Sequence, residues 1–392
     1  MSQLLWATVV SCDRFTANVQ VMIARDAFGK ERRALCFEVL TGTCAPGERV
    51  LLNCRATALK LGTGGYDFVV AREAGDRVEE DRSPESGSLR SSSDEGDEVP
   101  CAALQFVPHR HLMKLRYTPV QQVVSCVEEP GSETAKILRN KTSIEGVPVI
   151  CCSLHSQAIG VIAALKALDR TARVAYVMTD EAALALGFSK AIDRLINAEL
   201  LDVTITAGQA FGGQYEALTL HSGLLTARHI VQADYIVTSI GPGVIGAEHP
   251  YASGGIAQAE ALNAAYSMGG TPIVCVRASQ ADERERHQGI SHHTKTALRL
   301  ALGEAIVPLP KTSPQVAAAF DLALEPTHHA QHIIQTEVLS YCGKAIDLLD
   351  QAGIKLTTMG RDITQDQLFF ACVQAAACAA VDVRAKASDS AQ

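Results

Sequence analysis

Aromatic side chains are scarce in this sequence: they make up 5% of it, and Trp6 is the single tryptophan. A core must then be filled mostly by Ala, Val, Leu and Ile, which suits helices packed on a parallel sheet. No apolar run approaches the ~20 residues that cross a bilayer. The opening MSQLLWATVVSCD has neither a basic leader nor a small-residue cleavage site. No membrane partner and no secretory route are expected, and the cytoplasm is the expected compartment. CxxC is also missing. The cysteines Cys36, Cys126, Cys151, Cys152, Cys275, Cys372 and Cys378 sit inside apolar runs, as buried reduced thiols do, which argues against a zinc ribbon and a disulfide framework. Adjacent Cys151 and Cys152 should point to opposite faces of a strand.

A basic stripe is lacking as well. The formal charge of −8 is concentrated in residues 73–98, which hold ten acids and three arginines, so the remainder is close to neutral. No nucleic-acid partner is expected. A small-molecule ligand is, and a homo-oligomer is compatible with the composition.

What the chain does have is 392 residues, 47% of them hydrophobic, enough for one large or two ordinary cores. Residues 1–71 alternate short apolar runs (LLWATVV, VQVMIA, ALCFEVL, RVLLNC, DFVVA) with glycine-marked turns, which predicts a small barrel-like β unit. No helix follows LGTGGY, so it reads as a tight turn rather than a phosphate loop. The Ser-rich acidic stretch from about 72 to 99 has little to bury and reads as a disordered insert. The β pattern then resumes, which gives a β-rich unit over 1–120 and a second unit over 121–392.

In that second unit VPVICCSL, RVAYVMT, LDVTITAG, ADYIVTSI, TPIVCVRA and EAIVPLP alternate with helical stretches beginning at Ser156, Glu181, Glu216, Ser253 and Ser291. Continuous apolar strands joined by helices imply an α/β fold, a mostly parallel Rossmann-like sheet covered on both faces. A long helix over about His329–Ala352, a strand IKLTTM and a final helix over Gln365–Ala380 complete the expectation.

In such a sheet ligands bind beyond the carboxyl ends of the strands, so the residues that follow each strand are the candidates. They are His155, Ser156 and Gln157; then Asp180; then Gly208, Gln209, Gly212, Gly213 and Glu216 in TAGQAFGGQYE. GPGVIG with Gly241 and Gly243 comes next, followed by Glu248 and His249. Last are Asp282, Arg284, Arg286, His287, Ser291, His292 and His293 in ADERERHQGISHHT. His155 could cap a helix or act as acid–base, and Asp180 could be an N-cap or aim into the crevice. The 206–216 glycines suit close backbone approach to an anion, with Glu216 either there or in a first helical turn. GPGVIG matches GxGxxG, but Pro242 lacks an N–H and no helix opens directly, so NAD or flavin is disfavoured. The densest segment offers arginines for a phosphate or carboxylate, and histidines for acid–base work or a divalent metal. His328, His329 and His332, with an i, i+4 pair but no HExxH glutamate, read as a solvated helix start.

The ordered set LGTGGYDFV, HLMKLRYTP, LHSQ, VMTDEAALAL, TAGQAFGGQYEA, GPGVIG and RHQGISHHT resembles an uncharacterised bacterial family, domain of unknown function 3866. The resemblance spans nearly the whole chain and implies a bacterial cytoplasmic protein, with no assigned activity or catalytic residue. The acidic insert stands outside its pattern. PHRHLMKLRYTP departs from the Gly-His start associated with the family, a departure that concerns His109 and His111. From the strand ends, the leading expectation is an enzyme acting on a small anionic substrate by hydrolysis or group transfer, with His155, Asp180, His287, His292 and His293 as acid–base groups or metal ligands. The alternatives are a non-catalytic ligand sensor and a dinucleotide-dependent oxidoreductase.

Overall fold

The computed structural model describes residues 4–58, 64–73, 112–116, 120, 122–311 and 332–390. The expected acidic insert lies almost wholly outside the described residues, as do His109, His111, His328 and His329.

Five strands close the N-terminal barrel in the order β1-β2-β3-β5-β4: β1 (Leu4–Thr16), β2 (Val19–Asp26), β3 (Glu31–Phe37), β4 (Arg49–Asn53) and β5 (Asp67–Arg72). Alternation sends small and medium residues inward, among them Ala7, Val9, Met22, Ala24, Ala34, Cys36, Val50 and Leu52, as a narrow barrel interior requires. The run ALCFEVL divides: the strand stops at Phe37, and Glu38–Thr41 makes one helical turn. Gly64 and Gly65, the described part of LGTGGY, lie in a turn at positive φ. The barrel docks on the rest of the chain through Phe15 stacked on Phe188, with centroids 6.5 Å apart. Thr16 Oγ1 adds a bond to Gly187 O at 2.8 Å.

A short hairpin follows, β6 (Leu112–Lys114) paired with β7 (Gln122–Val124). Eight parallel strands then form one sheet in the order β11-β10-β9-β12-β8-β13-β16-β17. They are β8 (Pro148–Cys152), β9 (Val174–Thr179), β10 (Val203–Thr206), β11 (Tyr215–Glu216), β12 (Tyr235–Ile240), β13 (Thr271–Cys275), β16 (Ile306–Pro310) and β17 (His332–Thr336). A separate two-residue pair, β14 (Ala278–Ser279) with β15 (Gly289–Ile290), follows β13. Ile150, Cys152, Tyr176 and Met178 pack on one side with the helix His155–Leu168. Val149, Cys151, Ala175 and Val177 pack on the other with Ala257–Ser267. Cys151 and Cys152 thus face opposite layers. All eleven described cysteines are free thiols. The chain runs one way from β8 and the other way from β12, so the neighbours β8 and β12 mark the point where the topology reverses.

Four segment expectations change. Residues 181–185 are not helical: a 3₁₀ turn at Leu186–Phe188 precedes the helix Lys190–Asn197. Glu216 belongs to edge strand β11, and the helix after it starts only at Leu220. The helix read from His329 is strand β17 followed by the helix Gly343–Gln351, and IKLTTM contributes a single bridge, Thr358 to Arg361, rather than a strand. The final helix runs Gln367–Ser390, and its Gln367–Ala387 part is long and apolar enough to cross a membrane. That apolar stretch is 67% buried. It packs on β8, β13, β16 and the helix His155–Leu168, so its hydropathy reflects contacts on several sides.

Lys114 ties the hairpin to the sheet edge. Its Nζ is buried and donates to Thr206 O at 3.0 Å, Ala210 O at 2.6 Å and Glu216 Oε2 at 2.7 Å. Truncating one partner strands the other in a low-dielectric site. Lys114→Met is expected to lower unfolding stability by about 3–5 kcal/mol, measured by urea titration. A loss under 1 kcal/mol would show that the pair contributes little.

Candidate functional site

Beyond β13 the chain makes a closed excursion. Arg277 N donates to Thr294 Oγ1 at 3.0 Å, and Ser291 N donates to Arg277 O at 2.8 Å. The β14–β15 pairing of Ala278 with Ile290 sits just inside that clamp. Residues 278–290 are therefore pinched at their base, and the helix His292–Leu300 starts there with Ser291 as N-cap, accepting from His293 N at 3.3 Å.

The pinch gathers His287, His292 and His293. One ring nitrogen from each lies within 4.8 Å of the other two, and the centroids of His292 and His293 are 4.0 Å apart. His287 Nδ1 is engaged with Ser291 Oγ at 2.8 Å, which orients that ring and leaves Nε2. His292 Nε2 and His293 Nδ1 are buried with no hydrogen-bond partner. Burial, and then the charges of Arg277 and Arg284, push His287 down to about 3. Burial also leads for His293, at about 3, and for His292, which shifts down with Arg286 and Arg277 contributing. Neutral imidazoles present lone pairs, the form that ligates metals.

A carboxylate–guanidinium network anchors the loop. Arg284 grips Asp282 with both Nε–Oδ1 and Nη2–Oδ2 at 2.9 Å. Arg361 reaches Asp282 Oδ2 at 3.2 Å and Asp366 Oδ2 at 3.0 Å. Ser279 Oγ donates to that same Asp366 oxygen at 2.6 Å. The bidentate grip of Arg284 holds the Asp282 carboxyl far below its usual range. Asp282 and Arg284, both read as ligand-binding from the sequence, are thus bonded to each other.

The other strand-end residues are placed differently. Asp180 follows β9, three strands from β13, a separation of about 14 Å at the usual strand spacing. Its Oδ2 accepts from Gln209 N at 2.8 Å. Gly208 has a φ of +66°, and a Cβ there would meet that carboxylate at 2.6 Å, so this close approach needs glycine. Glu216 accepts from Gly212 N at 2.7 Å and from Thr206 Oγ1 at 2.7 Å, while Gly213 N donates to Thr206 Oγ1 at 3.1 Å. The amides that an anion would need in the 208–213 loop already serve the protein's own carboxylates and hydroxyl. His155 has both ring nitrogens occupied, Nδ1 with Tyr176 Oη at 3.1 Å and Nε2 with Ser189 Oγ at 2.7 Å. Gln157 Oε1 accepts from Ser153 N, Ser153 Oγ and Leu154 N, and its Nε2 donates to Cys275 O. In GPGVIG a Cβ on Gly241 would meet Ala183 O at 2.3 Å, and Gly243 takes a φ of +91°. The following helix opens only after the 3₁₀ turn Gly254–Ile256, so these glycines serve loop packing. Glu248 and His249 are exposed.

The structure thus joins His287, Ser291, His292 and His293, with Arg286 exposed on the same loop, and sets Asp180, Gln209, Gly212, Gly213 and Glu216 in a second cluster at the far sheet edge. Sequence reading passed over two residues. Arg277 is 6% exposed and ends the apolar run TPIVCVRA, where only its being the first charge after the strand marks it. Glu181 has a buried, unpartnered Oε2, and burial raises its carboxyl. Its carbonyl lies 2.8 Å from where Gly254 would carry a Cβ. Gly254 in turn belongs to the 3₁₀ turn packed against His292–Leu300.

Burial pushes His155 down to about 4, against about 6.5 in an unfolded chain. Above pH 6.5 the ring is neutral in both states and its full contribution is present. Below that the unfolded chain takes up a proton first, and stability falls until pH nears 4. The stability difference between wild type and His155→Gln is expected to shrink by about 3 kcal/mol from pH 7 to pH 4, measured by urea unfolding. His287 and His293 contribute equally to both proteins and cancel. A pH-independent difference would contradict a buried neutral His155.

No curated protein matches the chain. The family described as Protein of unknown function (DUF3866) matches residues 33–377, a stretch that starts within β3 of the barrel, holds the whole parallel sheet and both clusters and ends inside the final helix, and the chain belongs to that family.

Proposed function

We propose that the protein is a metal-dependent enzyme acting on a small anionic substrate by hydrolysis or group transfer, with His287, His292 and His293 as ligands of a divalent transition-metal ion. Two observations carry this reading: the three histidines each bring one ring nitrogen within 4.8 Å of the other two, and two of them hold a buried ring nitrogen with no bond, His292 Nε2 and His293 Nδ1. A buried polar atom without a partner costs about 1–3 kcal/mol, and one shared cation relieves both.

A tetrahedral ion with imidazole nitrogens at ~2.1 Å spaces them about 3.4 Å apart, so side-chain rotation of roughly 1 Å closes the set. Three protein ligands with a remaining open position are the composition of catalytic rather than structural zinc sites. An imidazole-only set favours zinc, iron, copper or nickel over magnesium and calcium. Bound there, such an ion supplies Lewis acidity and a water acidified towards neutral pH. Ser291 fixes the His287 ring from behind, as outer partners of ligating histidines do. Asp282, held by Arg284 and Arg361, keeps the loop in place rather than competing for the ion.

Protein purified without a His tag and dialysed against zinc, manganese or iron(II) should retain about one equivalent of one of them. His292→Ala and His293→Ala should each weaken retention by 10-fold or more, while circular dichroism stays unchanged. Wild type that retains no metal, or variants that retain as much as wild type, would contradict the reading.

A further inference from the structure

The charge around the three histidines is unbalanced. The imidazoles are neutral, and Asp282, the acid whose charge reaches His287, is already shared between two guanidinium groups, Arg284 and Arg361. Arg277 is a further cation, 6% exposed, and its side chain makes no hydrogen bond or ion pair among the described residues; its nitrogens are not among the fully sealed polar atoms, so they stay open to an incoming group. Its backbone bonds to Ser291 and Thr294, the residues on either side of His292 and His293, put its main chain beside the cluster, and its charge lowers all three imidazoles. Its backbone is held on both sides by the clamp to Ser291 and Thr294, so the side chain leaves the main chain at a fixed point. A buried guanidinium with no anion is unfavourable for folding. A divalent ion held by the three imidazoles would deepen the imbalance. The nine-residue helix His292–Leu300 adds the partial positive charge of its N-terminus at the same place, and Arg286 adds an exposed charge on the same loop.

We propose that Arg277 receives an oxyanion group of the substrate, phosphoryl or carboxylate, seated between its guanidinium and the histidine cluster. The planar fork of N–H donors matches two oxygens of such a group, and the bound anion offsets the charge that the protein leaves unpaired. Arg284, spent on Asp282, cannot take this role, although in the sequence it looks equally suited. The proposal rests on the metal reading only for the second contact, from anion to ion. The contact to Arg277 stands without it.

The test titrates inorganic phosphate and acetate separately into metal-loaded and chelator-treated wild type, Arg277→Met, Arg277→Lys and His292→Ala, read by calorimetry and thermal shift. Met keeps the aliphatic stem and removes the charge. Saturable binding of one of the two anions by wild type is expected, at least 10-fold weaker in Arg277→Met and partly restored in Arg277→Lys. Which anion binds tells a phosphoryl from a carboxylate group. His292→Ala, stripped of metal, should keep a weaker binding that still depends on Arg277. Arg277→Met without anion should melt above wild type, because an unpaired buried charge has gone. Anion affinity unchanged in Arg277→Met, or no binding of either anion to wild type, would overturn the proposal. A melting point several degrees lower in Arg277→Met would overturn it too. Binding abolished in His292→Ala but intact in Arg277→Met would assign the anion to the metal alone, sinking the proposal and leaving the metal reading standing. Binding that depends on Arg277 in a protein that retains no metal would do the reverse.

Discussion

The clamp between Arg277 and the Ser291–Thr294 turn is the constraint on which the site depends. Two hydrogen bonds, Arg277 N to Thr294 Oγ1 and Ser291 N to Arg277 O, close a loop whose ends are a strand terminus and a helix start. Neither bond is strong alone, each contributing about 0.5–1.5 kcal/mol. Together they fix where His287 re-enters beside His292 and His293. Ser291 does three things at once: its N–H closes the clamp, its Oγ caps the helix, and the same Oγ orients His287. The Ser279–Asp366–Arg361–Asp282 network then ties the loop to the final helix, whose own position is set by burial among β8, β13 and β16.

The two ends of the sheet settle their charges in opposite ways. At the β10–β11 edge the candidate residues are bonded within the protein: Lys114 with Glu216, Asp180 with Gln209 N, and Glu216 with Gly212 N. Its glycines permit close packing of the protein on itself, and two carboxylate oxygens buried there without a bond, Glu128 Oε2 and Glu181 Oε2, belong to acids outside that set. At the β13 end Asp282 and Asp366 pair with Arg284 and Arg361, while the Arg277 side chain makes no bond among the described residues and two imidazole nitrogens and Asp366 Oδ1 are buried without one. Unsatisfied buried groups lower stability, and a fold keeps them where a ligand completes them. The convergence of three imidazoles, rather than the abundance of polar residues, is what the proposed site rests on.

Much of this was legible in the sequence. Continuous apolar runs such as VPVICCSL and ADYIVTSI read as strands covered on both faces, which they are, and the concentration of histidines at 287–293 marked the loop that brings three imidazoles together. Three things were not legible. Ala and Leu over 181–186 read as helix, yet Leu186 N and Phe211 N are drawn into bonds with Phe211 O and Leu184 O, so tertiary pairing overrode local propensity. The β-branched pair Ile333–Ile334 was the local sign of a strand where histidines suggested a helix start. Lys114 meets its partners 92 to 102 positions away, and no local pattern announces such a contact. Arg277 hid at the end of a strand run because its isolation is a property of the folded neighbourhood. Arg284, two residues from Asp282, looked equally available.

The central claim is that three imidazoles and no other protein group form the metal's ligand set. X-ray absorption at the zinc edge of zinc-reconstituted protein tests this most directly. The account predicts a shell at about 2.0–2.1 Å with the multiple scattering of three imidazole rings and no sulfur. A shell with sulfur at about 2.3 Å, or a purely oxygen shell without imidazole scattering, would contradict it.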